Sequence, residues 1–276
     1  MKLKLAIIIL LFSITSTSTA LADINVICSS FPVYDMARAI IGSHGHVRLL
    51  LKQGTEPHEY EPSASDIREI NDYDAFIYTG KYLEPWAMRI SRSLNKDVAV
   101  IDASKNIELV DNDPHIWLDG INAASMIMNI FMGLVQTEGA KTKSQELNEN
   151  MRLYLEKILE LDGEFMGLPR NKTLVFAGEF SLGYFMRRYG FEYISAYEGE
   201  NEPGARKLAK VIKFIRDNNV KYIFSDYEIS AITRSISEQT GAEILVFNTA
   251  HNANEFDDFI EIMQDNLQNL KKALNE

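Results

Sequence analysis

Cysteine is almost missing from this sequence. Cys28 stands alone, so no disulfide can close within the chain and a packed core must hold it. Its setting, Ile24-Asn25-Val26-Ile27-Cys28, reads as a buried strand with the thiol as a small core side chain. Positive charge is also scarce, with 28 Lys and Arg against 39 Asp and Glu and a formal charge of −11. A chain of that sign repels nucleic acid and anionic lipid surfaces and is compatible with cations. Long apolar runs are lacking: Ala6 to Phe12 is far shorter than the roughly 20 residues that span a bilayer. Low-complexity tracts and short repeats are absent. What is present is ordinary globular composition, 46% hydrophobic and 24% charged over 276 residues. That is enough chain for one large domain or two modest lobes.

Residues 1–22 have the layout of a secretory signal peptide. Lys2 and Lys4 open it, Ala6 to Phe12 is its apolar part, and Ala20-Leu21-Ala22 is a small-x-small cleavage site before Asp23. Removing the leader takes two positive charges and no acid, which deepens the formal charge from −11 to −13. The residue directly after the cleavage site is Asp23 and not a cysteine, so a lipid anchor is not indicated. The expected location is the periplasm.

Beyond the leader, strand and helix patterns alternate twice. Strands are expected over residues 24–29, 46–51, 75–78 and 98–102, with helices over 33–41, 65–71 and 82–94 between them. Ser63 followed by Asp66 is a box-like start for the second helix. A further apolar helix is expected over residues 122–135. The second unit has strands over residues 173–177, 193–196, 222–225 and 243–247. Its helices are expected over 182–189, 205–218, 230–240 and 255–275. Such alternation predicts an α/β fold with parallel sheets and helices on both faces. Between the units, Leu147, Met151, Tyr154, Leu155, Ile158 and Leu161 recur at helical spacing. The helix they predict, from about Ser144 to Phe165, would be roughly 30 Å long. It could join two lobes as a stiff hinge or pack inside one domain.

Histidine is the third scarce residue: His44, His46, His58, His115 and His251. His58 lies in Gly54-Thr55-Glu56-Pro57-His58-Glu59-Tyr60-Glu61-Pro62, an ordered loop after a strand, where α/β proteins place ligands. His115 lies in Asp111-Asn112-Asp113-Pro114-His115-Ile116-Trp117-Leu118-Asp119, with Trp117 placed to keep a site dry. Imidazole suits zinc, and carboxylates flank His58. Glu179 follows a strand and precedes a helix, where an acid can serve as a ligand or cap the helix. Taken singly, each loop histidine also reads as an ordinary solvated residue. His44 and His46 flank Gly45 in a turn and read as exposed.

Taken together, the motifs resemble those of the periplasmic zinc/manganese-type solute-binding proteins of metal ABC importers. The resemblance covers the whole mature chain. It rests on Gly54 to Pro62 followed by Ser63 and Asp66, on Leu83-Glu84-Pro85-Trp86, on Pro114 to Asp119, and on Glu179 before Gly183-Tyr184-Phe185. It implies two α/β lobes joined by one long rigid helix, with the metal between them. The corresponding divisions are a leader at 1–22, lobes at 23–143 and 168–276, and the helix at 144–167. The resemblance also implies a receptor, not an enzyme, acting as a monomer. Its partners would be a membrane permease and a cytoplasmic ATPase.

Two positions depart from the family pattern. Zinc-type members often carry His where this chain has Glu179, as manganese-type members do. The usual final Asp aligns with Asn248, a poor zinc ligand. His251, three residues on, is the obvious substitute, and Asp226 is the weaker candidate. The His-rich loop of some zinc receptors is absent. The expected ligand set is therefore His58, His115, Glu179 and His251, three imidazoles and one carboxylate, which suits four-coordinate zinc. Manganese is the alternative and gains if Asp226 takes the fourth place. Two other functions share these residues: a secreted zinc hydrolase and a metal chaperone for another partner. The hydrolase lacks a His-Glu-x-x-His helix.

Overall fold

The apolar strands assemble into two four-stranded sheets in the computed structural model. It describes residues 23–275 apart from 53, 111–112, 179–181, 198–202, 228 and 252. The first sheet holds β1 (Ile24–Cys28), β2 (Gly45–Leu49), β3 (Ala75–Tyr78) and β4 (Ala99–Asp102), in the order β2-β1-β3-β4. The second holds β5 (Leu174–Phe176), β6 (Tyr193–Ser195), β7 (Tyr222–Ser225) and β8 (Glu243–Val246), in the order β6-β5-β7-β8. Every strand pairing is parallel. Each half thus repeats one topology: the chain leaves its first strand to one side, then crosses back to the other. The crevices that this reversal opens lie past the carboxyl ends of β1 and β3, and of β5 and β7. Open α/β sheets bind ligands at such places.

Strand side chains alternate between the two faces of a sheet, and the core divides accordingly. Val26, Cys28, Ala75 and Ile77 face a large apolar cluster, while Ile27, Phe76 and Tyr78 face a smaller one with Ile70 and Trp86. In the second sheet Leu174, Phe176 and Phe224 join the large cluster, and Val175 and Ile223 face a third. The large cluster therefore runs through both lobes. Cys28 is fully buried in it, and burial pushes its thiol well above the usual range.

The long helix carries that continuity. It is α6 (Ser144–Met166), 23 residues and about 34 Å long at 1.5 Å per residue. Leu147, Met151, Tyr154, Ile158, Leu161 and Phe165 form its buried stripe. The stripe packs against α1 (Phe31–Ile41) and α4 (Gly120–Leu134) of the first half and against α10 (Phe259–Asn275) of the second. The helix joins the lobes as a shared spine.

The remaining helices lie close to expectation. They are α2 (Ala64–Ile70), α3 (Pro85–Ser91), α5 (Glu138–Lys141), α7 (Gly183–Tyr189), α8 (Ala205–Asp217) and α9 (Ala231–Thr240). The Ser63–Asp66 capping box forms in both directions. Helices α7 and α9 end on Gly190 and Gly241 in the left-handed conformation that glycine adopts without strain. Three details differ. Helix α3 begins only at Pro85, which suits a first helical turn because it has no N–H to satisfy. The short α5 carries too few residues to show a period. Helix α10 begins at Phe259 and not at Glu255, because residues 254–258 fold into a polar turn. There Asn254 Oδ1 accepts from the Phe256 amide at 2.8 Å, and Asp257 Oδ2 accepts from the Asn254 amide at 2.7 Å. Among the described residues, no helix is long and apolar enough to cross a membrane.

Candidate metal site

Three loops bring histidines together, and each is held by a polar anchor of its own. The loop bearing His58 follows β2. Trp86, fully buried on α3, donates its Nε1 hydrogen to the Pro57 carbonyl at 3.0 Å. Tyr60 packs edge-on against Trp86 and donates its hydroxyl to Asp66 at 2.9 Å. The Pro-His-x-Tyr and Leu-Glu-Pro-Trp motifs are thus two halves of one contact.

His115 begins a single tight turn (Ile116–Leu118) that leads into α4. Asp113 grips it twice, with Oδ1 accepting from the His115 amide at 3.0 Å and lying 2.8 Å from ring Nδ1. With the Nδ1 hydrogen donated to that carboxylate, the neutral ring offers the lone pair of Nε2 on its outward side. Asp113 Oδ2 also accepts from the Tyr184 amide at 3.4 Å, at the start of α7. Trp117 meets the His115 ring edge-on and donates to the Thr249 carbonyl at 2.8 Å, across to the other lobe.

His251 sits on the loop after β8, which α10 holds through Asn266. Asn266 Oδ1 accepts from the Asn248 amide and its Nδ2 donates to the Asn248 carbonyl, both at 2.7 Å. Asn248 Oδ1 accepts from the Ala250 amide at 2.8 Å, so this side chain shapes the loop. Ala250, just before the histidine, has a positive φ of 61°.

The three rings converge from both lobes. Ring centres of His115 and His251 are 5.4 Å apart, and His58 lies 6.3 and 6.5 Å from them. His115 Nε2 and His251 Nδ1 face each other at 3.2 Å. Two nitrogens on a tetrahedral zinc at 2.0–2.1 Å would be about 3.3 Å apart. On the far side of the His251 ring, Nε2 lies 3.1 Å from Glu56 Oε2. Half-burial alone would raise the Glu56 carboxyl. The hydrogen bond and charge of His251, with the His58 amide, outweigh it and bring the group down to about 2. Among the described residues, no three His, Cys, Asp or Glu side chains already stand close enough to hold an ion. The His58 ring is the outlying member.

Glu179 falls outside the described residues. It follows β5 by three residues and precedes α7 by four, and the start of α7 lies against Asp113. Asp226 follows β7, and its Oδ1 accepts from the Tyr227 amide at 2.7 Å. His46 is exposed on β2, 3.8 Å from Asp23, and His44 lies in the turn before it.

Sequence reading missed Glu56 and Asp113 as partners of the histidines. A signal was available: Glu56-Pro57-His58 and Asp113-Pro114-His115 are the same acid-Pro-His tripeptide. In both, the acid accepts from the histidine amide two residues on, at 3.3 and 3.0 Å.

Two parallel-sheet lobes thus share one spine helix, and histidines converge on their junction from loops of both. Residues 26–273 match the model of the family described as zinc-uptake complex component A, periplasmic, and the chain belongs to that family. Zinc-binding protein AdcA of Streptococcus pyogenes is 27% identical, across 98% of this chain and 61% of that protein. The chain thus spans about 61% of the length of such relatives. The high-affinity zinc uptake system protein ZnuA of Bacillus subtilis is 27% identical over 91% of this chain and 88% of its own length. Among solved structures, the metal-dependent lipoprotein YcdH of Bacillus subtilis superposes with a TM-score of 0.80 at 27% identity, covering 91% of this chain and 99% of that one. The Zn(II)-bound ZnuA-like domain of Streptococcus pneumoniae AdcA gives 0.78 at 27% identity, covering 92% and 100%.

Proposed function

We propose that this chain is an extracytoplasmic receptor that captures one zinc ion with His58, His115, His251 and Glu179 and delivers it to an ABC permease. The observation that carries this reading is the approach of His115 Nε2 to His251 Nδ1, 3.2 Å apart on loops from different lobes. Two inward nitrogens at that spacing suit a cation placed between lobes. Three imidazoles and one carboxylate form a zinc-like donor set, and the relatives cited above that name an ion name zinc. The leader at 1–22, the lobes at 23–143 and 168–276 and the joining helix at 144–167 belong to the same proposal, as does action as a monomeric receptor without catalysis. In this scheme the ion bridges the two lobes. The buried spine limits hinge bending, so entry relies on movement of the His251 loop.

The test is metal analysis of the purified chain beside His58→Ala, His115→Ala, Glu179→Ala and His251→Ala. One zinc per wild-type chain, with loss in the His58, His115 and Glu179 variants, is the expected result. Unchanged stoichiometry in those three would overturn the proposal. Full retention in His251→Ala alone would remove only the fourth ligand.

A further inference from the structure

Both histidines that face each other have a second nitrogen, and each second nitrogen meets a carboxylate. For His115 the partner is Asp113, two residues away on the same loop. For His251 the partner is Glu56, which comes from the other lobe, 195 residues earlier. The two oxygens of Glu56 are divided between the ligand loops: Oε1 accepts from the His58 amide at 3.3 Å, and Oε2 meets His251 Nε2 at 3.1 Å. Pro57 between Glu56 and His58 restricts the backbone on both sides, which keeps the acid at a fixed offset from its histidine. An imidazole can ligate through either nitrogen, and the hydrogen bond made by one decides which is offered to the metal. The ring nitrogens of His251 point to opposite sides, so Glu56 lies away from His115, beyond the ring.

Building on the receptor reading above, we propose that Glu56 is the positioning residue for His251. By accepting the hydrogen on Nε2 it presents Nδ1 to the ion, and by reaching between lobes it fastens the C-terminal ligand loop to the His58 loop. Its side chain is 44% exposed against 13% for His251, so it stands at the outer side of the ring, where it can engage as the loop closes. The His251 loop supplies a strained Ala250 and no carboxylate of its own at Nε2, whereas the His115 loop carries Asp113. Orientation of His251 therefore depends on closure, and that of His115 does not.

The test uses the full mature chain, Zn²⁺ alone as probe, chelator competition for affinity, and ¹⁵N NMR of the histidine rings. Wild type is expected to show zinc on His251 Nδ1 with the proton on Nε2. Glu56→Ala should still bind one zinc, with affinity reduced about 10–100-fold and the single Nδ1-bound form of His251 lost. Glu56→Gln, whose amide oxygen still accepts from Nε2–H, should restore that form and most of the affinity. Should the alanine variant unfold, as read by melting of the zinc-free protein, Glu56→Asp is one methylene too short and carries the same expectation. Zinc on Nε2 in wild type, or unchanged affinity and ligation in Glu56→Ala, would overturn the proposal. So would complete loss of zinc from Glu56→Ala, which would make Glu56 a ligand. Failure of the receptor reading is seen separately, as full zinc retention in His58→Ala and His115→Ala with Glu56 intact.

Discussion

His115 and His251 stand with ring nitrogens 3.2 Å apart although 136 residues separate them, and each ring is backed by a carboxylate on its opposite side. The line Asp113–His115–His251–Glu56 joins the two lobes. If both outer nitrogens carry hydrogens, the inner pair presents two lone pairs to one point, which only a proton or a metal ion can occupy favourably.

Protons and zinc therefore compete for the same place. Zinc affinity should fall as pH is lowered from about 7.5 to about 5.5, because the ligand nitrogens must be deprotonated to bind. Competition titrations with a chelator at several pH values measure this, and zinc binding in weak buffer should release protons. Affinity that stays constant across that range would count against histidine ligation.

Asp113 should matter to affinity without being a ligand. Its Oδ1 fixes the His115 ring and backbone, and its Oδ2 reaches the start of α7. Asp113→Ala is expected to lower zinc affinity about 10–100-fold with one ion still bound per chain. Asp113→Asn should lose less, since its amide oxygen can accept the same hydrogens.

Trp117 links the lobes through one hydrogen bond, from Nε1 to the Thr249 carbonyl, and both residues are buried. Trp117→Phe keeps most of the apolar volume and leaves that carbonyl without its partner. The expected loss is about 1–3 kcal/mol in urea or thermal unfolding, with faster zinc release because the His251 loop loses an anchor. A variant as stable as wild type, with unchanged release, would show the bond to be dispensable.

Glu84 is a fully buried carboxyl at the carboxyl ends of β1 and β3. Its Oε2 accepts from the Thr79 amide at 2.7 Å, while Oε1 has no hydrogen-bond partner among the described residues. Burial pushes it from 4.5 up to about 7, against the pull of the polar groups around it. Between those values the folded chain holds a proton that the unfolded chain has released. Stability from this group is thus present below pH 4.5 and is lost as pH rises through 7. The difference amounts to about 3 kcal/mol at 1.36 kcal/mol per unit. Glu84→Gln cannot ionise, so it should gain on wild type by about that amount between pH 4.5 and 8, read from unfolding curves at each pH. Parallel pH profiles for the two proteins would contradict the assignment.

Much of the fold was legible in the sequence because its signals are local. The strands at Ala75–Tyr78 and Tyr222–Ser225 fall at their expected limits, since short apolar runs between turn residues admit few other readings. The α6 stripe was legible for the same reason: side chains three and four apart must share a face. The start of α10 was not. Residues 254–258 have helix-compatible composition, but Asn254 and Asp257 bond to nearby amides and Arg38 of α1 donates to the Asp257 carbonyl at 3.0 Å. A partner 219 positions away leaves no mark on local pattern.

For the site, the sequence by itself determined the chemistry available: few histidines, two of them in acid-Pro-His tripeptides, and no cysteine able to compete for metal. Periodicity likewise marked two α/β units with a long helix between them in the sequence, while leaving open whether that helix joined two lobes or packed inside one domain. Tertiary structure decided which of those histidines meet. It set His46 on an exposed strand and His251 against His115, engaged the Asn248 side-chain oxygen in its own loop, and paired Glu56 with a ring from the other lobe. The physical reason is that spacing along the chain governs contacts within a helix, strand or turn. Contacts between loops depend on how two sheets are docked across a shared core, and that docking is a property of the whole packed molecule.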